Sequence, residues 1–226
     1  METPFASIIA TISATMGVAW ASGINLYAVL LVLGLLGATG TMILPEHLQV
    51  LTHPAVIMAS GFMYLMEFCA DKTPGVDSGW DAIHTFIRIP AGAVLAAGMV
   101  GQVDPALMVA AGVLGGTVAA GTHALKAGGR VLINASPEPF TNWTASVSED
   151  VAAVGGIYLA LTHPWIFLTL LVLFILLLVW VLPKMWQAIK TLFQGLARFF
   201  GAQPANRNLQ IPASPDGGAD SPARPI

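Results

Sequence analysis

Charge is what this chain is poorest in. Only 9% of its 226 residues are charged while 56% are apolar, against roughly a quarter charged in a soluble globular domain. A water-soluble fold of this length would need far more charge to cover its surface, so the composition indicates an integral membrane protein. Cysteine is nearly missing as well. The single Cys69 excludes an internal disulfide and carries no further information about redox compartment. No basic stripe exists, and the net charge is -3, which argues against a nucleic-acid partner because nothing is present to neutralise phosphates. The N-terminus lacks the basic stretch of a signal peptide, so the segment from Phe5 is expected to be a retained membrane helix. The chain has no Ser/His/Asp arrangement, no His-Glu-x-x-His zinc helix and no paired-cysteine site, which disfavours a conventional hydrolase. Nothing in the sequence names a cofactor.

Long apolar runs are abundant. Residues 5–39 are apolar throughout but interrupted at Ser22-Gly23-Ile24-Asn25. As one helix this stretch would be about 50 Å long, too long for a hydrocarbon core of about 30 Å, so it must turn back or break near Gly23. Further runs cover 54–70, 89–102, 105–122, 150–162 and 164–183. The runs 89–102 and 150–162 fall below the usual span of about 17 residues, so each is either a half-helix or extends into its neighbours. Residues 202–226 mix Pro, Gly, Ala and Ser with scattered Asp and Arg and are expected to be disordered.

The chain also repeats itself. Leu-Thr-His-Pro occurs at 51–54 and again at 161–164, and Trp80-Asp-Ala-Ile-His-Thr-Phe86 is echoed by Trp186-Gln-Ala-Ile-Lys-Thr-Leu192. Two shared words in the same order suggest a duplicated membrane unit, a common way to build transporters with the site between the halves. If residues 5–39 make two spans there are seven in all; if they make one broken crossing there are six. We favour an all-α polytopic bundle of about seven spans, with two parallel three-helix repeats joined by a connecting helix. Residues 1–103 then hold the first repeat and connector, 104–201 the second repeat with an interfacial helix, and 202–226 a cytoplasmic tail. In the seven-span arrangement Lys72, Arg88, Lys126, Arg130, Lys184, Lys190 and Arg198 all fall on one side, cytoplasmic by the positive-inside rule, with the N-terminus outside. His53 and His163, each before a proline, read as helix-start residues. Gly34, Gly37, Gly40 and the Gly112–Gly116 pair read as helix-packing positions, which a second copy of the chain could also use.

Three polar clusters are candidates for chemistry. The first runs from Glu67 to Arg88. Ser78 with Asp81 matches a capping box, and Asp77, Asp81, His84 and Arg88 share one helical face. Such a face can hold a divalent cation or relay protons; it can equally be a capped helix with Asp81–Arg88 or Asp71–Lys72 ion pairs. The second is His123, Lys126 and Arg130 beside Gly128-Gly129, either an anion or phosphate contact or cations offsetting a helix dipole. The third is the loop from Asn134 with Glu138 between Pro137 and Pro139, followed by Glu149 and Asp150 at an expected helix start. Asn25 lies on the same side of the seven-span arrangement.

These stretches resemble DUF4126, a bacterial family of multi-pass membrane proteins of unknown function. The resembling words are Ser22-Gly-Ile-Asn-Leu-Tyr27; Glu67 with Asp71-Lys-Thr-Pro-Gly-Val-Asp77, Trp80-Asp81 and His84-Thr-Phe-Ile-Arg88; and Lys126-Ala-Gly-Gly-Arg130 with Asn134-Ala-Ser-Pro-Glu-Pro139 and Glu149-Asp150. The resemblance implies a multi-pass protein of the bacterial inner membrane and marks candidate positions. It supplies no mechanism.

Three functions are consistent with these residues. The favoured one is a small-solute or ion transporter, or a channel-like protein, in which Asn25, Asp71, Asp77, Asp81, His84, Arg88, His123, Lys126, Arg130 and Glu138 line a cytoplasm-facing cavity. The acids would bind a coupling cation or proton and the basic pair an anionic group. The others are an interfacial enzyme or lipid head-group handler, and a non-catalytic assembly partner whose ion pairs only hold its helices together.

Overall fold

The computed structural model describes residues 3–73, 75–101, 104–135 and 139–199. Among these the regular structure is entirely helical: α1 (Pro4–Ile24), α2 (Leu26–Ala38), a 3-10 segment (Glu46–Thr52), α3 (Pro54–Ala70), α4 (Val76–Val100), α5 (Pro105–Asn134), α6 (Pro139–Thr162) and α7 (Pro164–Phe199). The expected tail at 202–226 and Glu138 lie outside the described residues. The chain divides at residue 189 into two units. The described part of the second is the end of the α7 helix.

Four helices, α1, α4, α5 and α7, are long and apolar enough to cross a membrane. The 3-10 segment and α3, bent by 70° at His53, together make a fifth candidate. The short apolar runs at 89–102 and 150–162 are completed by polar neighbours: α4 begins at Val76 and α6 at Pro139. That extension puts ionisable side chains inside long helices. It also corrects two expectations. The N-cap of α4 is Gly75, and no Ser78 capping box forms. Glu149 and Asp150 sit well inside α6 rather than at its start, so capping does not account for them.

Helix starts follow local chemistry. Thr3, Asn25, His53 and Asp104 each accept a hydrogen bond from a backbone N–H of the following turn, which satisfies a donor left free at a helix start. Pro sits in the first turn of α1, α3 and α5, where its missing N–H costs nothing. Asn25 does double duty: its backbone is extended, ending α1, and its side chain accepts from Ala28 N at 2.9 Å to begin α2. Beyond this break α1 and α2 both line an apolar cavity of about 670 Å³, whose lining includes Thr11, Ala14, Val32, Leu36, Met42 and Ile157.

α1 is the central helix. Its buried face is built from small residues, among them Ser13, Ala14, Gly17, Ala19, Ala21, Ser22 and Gly23, so that α4, α5 and α6 pack closely around it. A Cβ on Gly23 would stand 2.5 Å from the Ala119 carbonyl oxygen, and one on Gly92 2.6 Å from Ala119 Cβ. Gly116 lies against Ala93 of α4, while Gly34 and Gly37 lie against Leu51 and Thr52 beside the 3-10 segment; these glycines make contacts within the chain. Gly40 instead turns the chain with φ of 72°. α6 runs antiparallel to α1, tied by Ser13 Oγ to Ala160 O at 2.8 Å and by Asn25 Nδ2 to Asp150 Oδ1 at 3.1 Å.

Gly23→Ala is therefore expected to destabilise the protein by about 1–3 kcal/mol, because the carbonyl it meets cannot move alone. Gly79→Ala, where an added Cβ meets nothing within 4 Å, should be neutral or stabilising by up to about 1 kcal/mol. Thermal unfolding of both variants in detergent distinguishes them.

Candidate functional site

The turn between α3 and α4, the end of α5, the first half of α6 and the Asn25 break meet at one end of the bundle. Charge that is scarce in the sequence is concentrated there, and it is buried. Glu67, Asp71, Asp77, Asp81, Arg88 and Arg130 are all 2% exposed or less, and Lys126 is 6%.

Three cations organise the cluster. Arg88 on α4 holds Glu67 Oε1 at 2.5 Å through Nη2 and Asp81 Oδ1 at 3.0 Å through Nη1, joining α3 to α4. Lys126 on α5 reaches Asp71 at 2.8 Å, Glu67 at 3.3 Å and Glu149 at 3.5 Å. It also donates to the Ile24 carbonyl at 3.1 Å, one of the oxygens left without a helical partner where α1 ends. Arg130 grips both oxygens of Glu149, with Nη2 to Oε2 at 2.6 Å and Nε to Oε1 at 3.3 Å. It donates as well to the Asp71 carbonyl at 3.0 Å and to the Asn142 side chain. The anion that Arg130 contacts is thus the protein's own carboxylate. The two basic side chains do offset helix C-termini, but those of α1 and α3 rather than their own.

The remaining candidates surround these three. Asp77 accepts from Gly75 N at 2.9 Å and from Asn134 Nδ2 at 2.7 Å, and lies 4.0 Å from Arg130. His123 Nδ1 faces Arg88 Nη1 at 3.1 Å. A guanidinium only donates, so Nδ1 accepts and the ring is neutral, its Nε2–H donating to Thr85 Oγ at 2.8 Å. His84 stacks on Trp80, donates from Nδ1 to the Trp80 carbonyl at 2.8 Å and meets the Tyr27 hydroxyl at 3.0 Å. Of the two ion pairs expected near here, Asp81–Arg88 forms. Asp71 pairs with Lys126, whereas Lys72 lies over the Phe68 ring at 2.9 Å and donates to Ser146. Lys72 is outside the candidate spans, and burial there lowers its ammonium from the ordinary value.

All the sequence candidates among the described residues converge on this end. Asn25 does so through Asp150, the acids and His123 through the cations, and His84 at the edge beside Tyr27. They pair with one another in the interior rather than lining an open cleft. Glu67, Glu149, Asn142 and Asn134 belong to the same network although they were not singled out as ligands. Glu67 could have been found as the lone charge within an apolar helix. The two amides have no comparable signal, since Asn in a polar loop is ordinary.

The charges do not cancel. Six carboxylates (Glu67, Asp71, Asp77, Asp81, Glu149, Asp150) face four cations (Lys72, Arg88, Lys126, Arg130), a difference of 6 − 4 = 2 negative charges. Four carboxylate oxygens, Glu67 Oε2, Asp71 Oδ1, Asp81 Oδ2 and Asp150 Oδ2, are buried without a hydrogen-bond partner among the described residues. No group of three or more His, Cys, Asp or Glu side chains there is placed to hold a metal ion.

The described residues are all-helical, with four or five candidate spans long and apolar enough to cross a membrane and an interior charge network, the features of a membrane protein. The chain belongs to DUF4126, a domain of unknown function, whose model matches residues 12–184. Comparison with curated proteins and with solved structures gives no match.

Arg88→Leu leaves Glu67 and Asp81 buried without their main cation. It is expected to destabilise the fold by about 3–5 kcal/mol, read as loss of monodisperse protein in detergent and a lowered unfolding midpoint.

Proposed function

We propose that this chain is a small-solute or ion transporter whose interior acids bind a coupling proton. The observation that carries this reading is the excess of two acids over basic side chains in the cluster, together with the four carboxylate oxygens that are unpartnered among the described residues. A network serving only to join helices is best balanced and satisfied, since each unpaired buried charge costs several kcal/mol. Acids held unbalanced in a membrane interior are the usual elements of proton relays. A divalent cation is less favoured, because the acids are spread among Arg88, Lys126 and Arg130 rather than grouped as ligands. The head-group alternative also loses support, because Lys126 and Arg130 already hold carboxylates.

In this reading all seven α-helices cross the membrane and reverse at Asn25. The end bearing Lys72 faces the cytoplasm and the N-terminus lies outside. The two shared sequence words support a duplicated origin, with His53 and Pro164 both at helix starts. The closed packing of the charges corresponds to an occluded state.

Proton uptake into proteoliposomes carrying an internal pH dye, driven by an imposed pH gradient, tests the proposal. Asp81→Asn should lower the flux at least tenfold while the protein stays folded, and unchanged flux rules the site out. The full pairing of Arg130 with Glu149 favours a second reading, a non-catalytic assembly partner. There the wild type carries no flux, and exchanging the pair (Arg130→Glu with Glu149→Arg) recovers the stability each single change loses.

A further inference from the structure

Five of the six acids in the cluster form an ion pair within 4.0 Å. Asp150 forms none among the described residues. Its Oδ1 accepts from Asn25 Nδ2 at 3.1 Å, and its Oδ2 is buried with no partner. It is also partly exposed, unlike Glu67, Asp71, Asp77 and Asp81. The charged and titratable groups around it are Tyr64 on α3, Asp71 and Lys72 after α3, Lys126 on α5 and the adjacent Glu149 on α6. Lys126 is already committed to Asp71, Glu67 and Glu149, and Lys72 to Phe68 and Ser146. The nearby basic groups therefore leave Asp150 without a direct counter-charge.

We propose that Asp150 is the group in this site that takes up and releases a proton, with Asn25 as its positioning residue. This rests on the reading of the site as proton-binding and names its acceptor. The step transfers one proton from hydronium in the solution to the Asp150 carboxylate, leaving a water molecule, with the unpartnered Oδ2 as acceptor and Oδ1 still bonded to Asn25. Asn25 also begins α2, so the charge on Asp150 bears directly on the break between α1 and α2. A donor that favours the carboxylate holds the vertex more strongly when Asp150 is ionised than when it is neutral.

Infrared difference spectra of the full chain in phosphatidylcholine and phosphatidylglycerol vesicles, recorded across pH, provide the test. Wild type should show a protonated-carboxyl band that grows as pH falls. Asp150→Asn, which keeps the acceptor for Asn25, should lose that band, while Asp77→Asn keeps it. Asp150→Glu should restore a titrating band at a shifted frequency, which separates loss of the group from loss of the fold. Asn25→Ala should move the midpoint upward by about one pH unit, because the carboxylate loses its donor. A band that survives in Asp150→Asn and disappears in Glu67→Gln overturns the assignment to Asp150 and leaves a proton-binding site in place. No titrating band in wild type overturns the proton-binding reading itself.

Discussion

A charge removed from water must find its opposite or remain a large cost, and in lipid there is no hydrophobic force between helices to offset that cost. Arg88, Lys126 and Arg130 lie within the bundle and reach carboxylates on α3, α4 and α6 and carbonyls at the ends of α1 and α3. Each cation thereby ties at least two elements together. The helices are free to approach this closely because the faces between them are made of Gly, Ala and Ser, as at Gly23 on Ala119 and Gly92 on Ser22. Small residues set the distance and buried charges set the register.

The same constraint explains the break at Asn25. Ending α1 inside the bundle leaves carbonyls unpaired, and Lys126 supplies a donor to that of Ile24. Starting α2 leaves amides unpaired, and the Asn25 side chain supplies an acceptor to Ala28 while its amide reaches Asp150. The break is thus wired into the polar network at one end. At the other end α1 and α2 both line an apolar cavity.

Much of this was legible in the residues. The face Asp77, Asp81, His84 and Arg88 follows from helical spacing alone, and in the fold it turns inward while Ile83 and Ile87 turn out. The interruption at Ser22 to Asn25 marks a true helix end. The partners were not legible. Asp71 and Lys72 are neighbours in sequence, yet the turn points Asp71 into the bundle and Lys72 over Phe68. Glu149 and Asp150 read as helix-start residues only while α6 was thought to begin beside them. Its start at Pro139 follows from a polar first half that shows no apolar periodicity, because that half is stabilised by buried hydrogen bonds such as Arg130 to Asn142.

The sequence by itself determined that the chain carries helices apolar enough to cross a membrane, where those helices interrupt and which ionisable residues it can least afford to leave unpaired. Those properties are local: they depend on run length, on glycine, proline and asparagine, and on the cost of any one charge in hydrocarbon. Only the tertiary structure decided which acid meets which base, and that Asp150 meets none among the described residues. Pairing depends on distances between elements far apart in the chain, and one turn of helix in either direction would have chosen different partners.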